Sequence, residues 1–211
     1  MSVSPFKSDE ELLKYARWFL ADRVRALRKD LAICMTKKKG SHAYFPALIT
    51  CIGFADLLSG LHKGTLDYPK LPDLQVYITK FFRNKTSYVN VDILYHMFRH
   101  KIAHIAYPYL VFNTAKAKQL PLPHRRIVWS VGIYKGKKPI DLIDHSTPQT
   151  LKRAKVPWSV PYTCRIKVSL TAFRKDIISS IYGASGYLQH LENDPTARQN
   201  FAHCMTQYAP P

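Results

Sequence analysis

Leu12, Ala16, Phe19, Leu20, Leu27 and Leu31 recur at helical spacing behind Ser8-Asp9-Glu10-Glu11. That tetrad is a capping box, in which Ser8 accepts from the backbone of Glu11 and Glu11 reaches back. The pattern predicts a first helix from Ser8 to about Met35, wet along Arg23, Arg25, Arg28 and Lys29 and ended by Lys37 to Lys39 and Gly40. Pro46 suits the first turn of a second helix, and Ala47 to Leu61 is apolar nearly all round, as in a helix packed on several sides. The longest apolar stretch, Tyr44 to Leu61, is interrupted by Pro46 and Asp56 and is short for a membrane span, so a buried helix is expected. Gly60, Gly64 and Pro69 mark a loop, Leu74 to Phe82 a short third helix, and Arg83-Asn84-Lys85 a basic turn. A fourth helix starts near Asn90 and ends at Tyr107, because the residue before Pro108 is pushed out of helical geometry.

The periodicity then changes. Between Tyr107 and Val168 lie seven prolines and two β-branched runs, Ile127 to Tyr134 and Tyr162 to Val168. In the second run residues 164, 166 and 168 alternate with polar 163, 165 and 167, as on a strand. Ser169 or Thr171 can cap a last helix running through Phe173, Ile177, Ile181 and Leu188 to about Leu191, which Gly183 and Gly186 weaken or allow to pack closely. Residues 192–211, with Pro195 and a Pro210-Pro211 end, are expected to form a flexible tail. The expected fold is mainly α: an antiparallel helical bundle in a single domain over 1–211, with a small antiparallel β insertion at 107–168 before the last helix.

Composition sharpens this picture. A chain of 211 residues that is 46% hydrophobic and 12% aromatic buries one sizeable core and is too apolar for a disordered chain. The formal net charge of +18 and a pI near 9.8 favour a polyanionic partner through counterion release. RNA, DNA and an anionic membrane all satisfy that balance. Cys34, Cys51, Cys164 and Cys204 form no CxxC pair and no metal-finger spacing, and the N-terminus carries no secretory pattern, so a reduced cytoplasm is expected. There is no phosphate-binding glycine loop and no serine-nucleophile elbow.

Candidate chemistry concentrates on the fourth helix, VNVDILYHMFRHKIAHIAYP over 89–108. At 100° per residue, Val91, Leu94, Tyr95, Phe98, Ile102 and Ile105 share an apolar face, opposite His96, Arg99, His100, Ala103 and His104. Helix stability asks for none of those histidines. Histidine changes charge near neutral pH and arginine is a planar donor suited to phosphate, so the pair points to work on an anion.

The run Arg99-His100-Lys101-Ile102-Ala103-His104, with Phe98 before it and Pro108 after, resembles the Arg, polar residue, three residues, His motif of the HEPN domains. These are helical bundles, many of them metal-independent endoribonucleases. The resemblance covers roughly Ser8 to Tyr107 and Ser169 to Leu191. It implies a HEPN-like bundle, working as a homodimer on RNA with no cofactor, in which Arg99 and His104 are catalytic. His100 is then an auxiliary contact at the family's polar position, and Ala103 lets a phosphate or a second helix approach. Asp56 and His96 are auxiliary candidates, Asp56 by orienting Arg99 or a histidine, while Lys101, Arg83 and Lys85 are expected RNA contacts. Some members are toxins or defence ribonucleases restrained by an antitoxin. In those paired with nucleotidyltransferase antitoxins a tyrosine stands two residues after the histidine, where this chain has Ala106, with Tyr107 one later. No membrane partner is expected.

Two other classes compete. One is a HEPN-like module that holds RNA or protein without cutting. The other is a metal hydrolase: His96, His100 and His104 recur at i, i+4 and i+8, a spacing by which neighbouring histidines share zinc, although no HExxH glutamate is present and Arg99 would repel a cation.

Overall fold

The computed structural model describes residues 5–36, 43–67, 70–100, 111–113, 125–134, 138–151 and 158–208, with residues 98–100 and 112–113 by backbone alone. It is mainly helical, with a small sheet, and divides into two compact units where the sequence predicts one domain: Met1–Lys85 with Arg174–Pro211, and Thr86–Phe173.

The first unit is built around α2 (Tyr44–Lys63), against which α1 (Asp9–Met35), α3 (Leu71–Phe81) and a C-terminal helix pack. Helix α1 starts where expected: the Ser8 Oγ accepts from the Glu11 amide at 3.2 Å, while the Glu11 carboxylate takes the amide of Lys7 rather than that of Ser8. Its buried stripe, Leu12, Ala16, Phe19, Leu20, Val24, Leu27 and Leu31, is the one the spacing predicts with Val24 added. Helix α2 is the one described helix long and apolar enough to cross a membrane, but it is a core helix, with Ala47, Leu48, Cys51, Ala55, Leu58 and Leu61 fully buried. It ends at Gly64, whose φ of +89° is the left-handed turn that glycine adopts without a Cβ clash.

The C-terminal part departs from expectation. Helix α5 (Leu170–Tyr182) stops at a turn, α6 (Tyr187–Asn193) follows, and residues expected to be a flexible tail form α7 (Pro195–Tyr208). A Cβ on Gly186 would lie 2.6 Å from the Ile181 carbonyl oxygen, so the chain can turn back this tightly only with glycine there. Helix α7 is docked: Phe201 is buried edge-on to Phe19, Asn200 donates to the His62 carbonyl at 2.9 Å, and Arg198 pairs with Asp9 at 2.9 Å.

The second unit contains α4 (Val91–Leu94), continued by a π-helical stretch Tyr95–His100, and a four-stranded sheet. Its strands are β1 (Phe112–Asn113), β2 (Arg126–Gly132), β3 (Ile140–Thr150) and β4 (Pro161–Ser169), in the order β1-β2-β4-β3. The expected alternation on β4 holds, with Tyr162, Cys164, Ile166 and Val168 buried between half-buried neighbours. The expected antiparallel sheet is instead mixed. Strand β4 inserts between β2 and β3, running parallel to β2 (Ile127↔Cys164 through Gly132↔Ser169) and antiparallel to β3 (Ile140↔Val168). The connection from β2 to β3 passes the end of β4, where the Ser169 amide donates to Pro139 O at 2.8 Å and its hydroxyl to Tyr134 O at 3.1 Å. The same hydroxyl accepts from the Ala172 amide at 3.4 Å, the cap expected of Ser169.

Candidate functional site

The start of the motif helix is more enclosed than a helix with one apolar and one polar face would be. Val91, Leu94 and Tyr95 are buried as expected, but so are Asp92, Ile93 and Met97, and His96 is half-buried. The π-helical pairing over Tyr95–His100 explains part of this: its i to i+5 bonds depart from the 100° α-helical phase used to assign the faces, and Met97 is buried. Arg99 and His100 lie on this stretch by backbone alone; Lys101, Ala103 and His104 lie outside the described residues, and so does the pairing expected of Asp56 with Arg99.

Asp92 is the functional candidate that sequence reasoning passes over. It sits in the first turn, where an acid ordinarily reads as compensation of the helix dipole, and only the structure shows it 6% exposed. Burial pushes its carboxyl above the usual carboxylate range, opposed by the Ile93 amide, which donates to Oδ1 at 2.8 Å, and by the charge of His96 one turn on. Burial and a nearby histidine act in opposite directions on the proton affinity of such an acid.

In the first unit the predicted contacts Arg83 and Lys85 come together with Lys80, which the sequence reading did not single out. They line a cleft of about 300 Å³ with Phe81, Ser179 and Ser185. A second hollow of about 260 Å³ shares Lys80, Phe81, Ser185 and Gly186 and adds Gln189, His190 and Asn193. Between the two cations, Asn84 is pinned: its amide donates to both oxygens of buried Asp176, at 3.0 and 3.1 Å. Among the described residues no carboxylate forms an ion pair with Lys80, Arg83 or Lys85. Lys80 Nζ instead lies 2.9 Å from His190 Nε2, and burial together with that ammonium holds His190 below the usual histidine range. Beneath, His62 packs edge-on to Phe81 at 5.1 Å; burial, with Lys80 and His190, lowers it to about 4, so it is neutral at physiological pH.

Asp56, expected as an auxiliary, is buried on α2 within the first unit. The cysteines offer no nucleophile: burial raises Cys51 and Cys204 to about 12, and Cys164, which donates to Asp144 at 2.7 Å, to about 11. No cluster of three metal-ligating side chains occurs among the described residues, of which His104 is not one. Comparison of the chain with protein-family models, curated proteins and solved structures finds no match.

Proposed function

We propose that this protein is a metal-independent, HEPN-type endoribonuclease, acting on RNA in the cytoplasm as a homodimer, in the manner of toxin or defence ribonucleases. The observation that carries the reading is the run Leu94 to Pro108, which joins Arg99 and His104 at motif spacing in a strongly basic chain. RNA supplies its own nucleophile, so the protein needs a base, an acid and a cation for the developing charge. The substrate's 2′-oxygen bonds to the adjacent phosphorus as the P–O5′ bond breaks. The 2′-hydroxyl proton leaves to a base, and the departing 5′-oxygen takes one up. His104 exchanges these protons and Arg99 holds the equatorial oxygens of the pentacovalent phosphate. His100 is an auxiliary contact, and the Asp92–His96 pair supplies further proton-exchanging groups.

His104→Ala and Arg99→Ala should each lower the cleavage rate by at least about 10²-fold, the lower end of what positioned acid–base groups contribute, while RNA affinity stays within a fewfold of wild type. A wild-type protein that cuts nothing in a broad RNA panel, yet binds as both variants do, is a binding module.

A further inference from the structure

We infer that the cleft between the end of α3 and the α5–α6 turn binds the phosphate backbone of single-stranded RNA, through Lys80, Arg83 and Lys85. This rests on the ribonuclease reading for the identity of the polyanion. The three cations project from one short segment, Lys80 to Lys85, and no carboxylate lines either hollow among the described residues. The Asn84 amide donates to both oxygens of buried Asp176, which fixes the backbone between Arg83 and Lys85.

The Asn84–Asp176 bonds hold the backbone that carries the exposed Arg83 and Lys85, so part of the ordering cost of binding is already met. The opposite wall carries Ser185, Gln189 and Asn193, neutral side chains with donors and acceptors for unpaired base edges. The two hollows together reach the size range of ligand sites, and a groove that tracks a backbone with basic residues suits a single strand.

The test is fluorescence anisotropy of a labelled oligouridylate between 50 and 200 mM salt, in a His104→Ala background so that the probe is not consumed. The cleft variant carries Lys80→Ala, Arg83→Ala and Lys85→Ala. The control removes three exposed lysines that line neither hollow: Lys7→Ala, Lys14→Ala and Lys29→Ala. Losing three phosphate contacts to a single strand should make the slope of log affinity against log salt shallower by about 2. At 50 mM salt the affinity should fall at least tenfold, with the control near the parent. Should the triple variant melt below the parent, Arg83→Gln with Lys85→Gln, which keeps side-chain bulk, should still flatten the slope by about 1.4. An unchanged slope, an equal loss in the control, or no RNA binding by the parent overturns the cleft. The ribonuclease reading fails separately: if the wild type never cuts RNA while the cleft variant loses the salt-dependent binding, the cleft stands and the enzyme falls. If the wild type cuts and the cleft variant binds as its parent does, the cleft alone falls.

Discussion

The basic turn and the motif helix each bury one aspartate, and the two aspartates are satisfied differently. At the turn, Asp176 takes two hydrogen bonds from the neutral Asn84 amide. On the motif helix, Asp92 has the Ile93 amide of its own turn and the charge of His96. The two Asn84 hydrogen bonds to the Asp176 carboxylate hold geometry. A carboxylate balanced by a histidine is placed to exchange protons, and its buried charge costs stability that a structural role would not require.

This contrast can be broken by substitution. The largest effect is expected at Asp92. Asp92→Asn should lower the cleavage rate by about 10²-fold, as loss of a group coupled to acid–base chemistry does. Its stability should move the other way. Because burial raises the folded-state pKa of Asp92, the wild type loses stability as pH rises from the usual carboxylate range through that raised value, and the asparagine variant lacks this loss. Urea unfolding at pH 7 should show Asp92→Asn as stable as wild type or more so; marked destabilisation would make Asp92 a structural residue like Asp176.

A smaller change is expected at the turn. Asp176→Ala removes the acceptor of both Asn84 hydrogen bonds and should cost about 1 kcal/mol in urea unfolding, because the exposed Asn84 amide can turn to water. Cleavage per folded molecule at saturating RNA should stay within a fewfold of wild type. A large loss of catalytic rate without loss of stability would erase the distinction between the two aspartates.

The smallest effect concerns His62. Its folded pKa of about 4 lies below the ordinary histidine value, so stability is full above about pH 6.5 and is lost as pH falls toward 4, where the unfolded chain binds a proton that the folded chain refuses. His62→Phe should reduce the fall in melting temperature over that window. His190, shifted in the same direction, keeps part of it. An identical pH profile in the variant would mean that His62 protonates freely in the folded protein.

The helices of the first unit are legible where the signal is local. The capping box at Ser8, the apolar stripe of α1 and the all-round apolar character of α2 each lie within a few turns of chain. Helix α7 is missed because its buried positions, Ala197, Phe201, Ala202, Cys204 and Met205, are mostly small and separated by polar residues. What makes it a helix is a tertiary surface, Phe19 on α1 and the end of α2, that no local window contains. Strand β3 is passed over for a related reason: Pro148, Asp141 and Asp144 are acceptable only because it is an edge strand. The parallel pairing of β2 with β4 joins Ile127 to Cys164 across the whole β3 excursion, and alternation within a strand carries no information about its partner. The site divides in the same way. Arg83 and Lys85 are readable as a basic turn, whereas Lys80 joins them, and Asp92 becomes unusual, only through burial and packing.

The account turns on whether the substrate's own 2′-hydroxyl is the nucleophile. Mass spectrometry of product ends, with a strong chelator present and with a substrate whose nucleotide 5′ to the cut is 2′-deoxy, tests this directly. The account predicts undiminished cleavage in chelator, 2′,3′-cyclic phosphate and 5′-hydroxyl ends, and no cutting at the deoxy position. Loss of activity on chelation, or ready cutting of the deoxy substrate, would contradict it and favour a metal held by His96, His100 and His104.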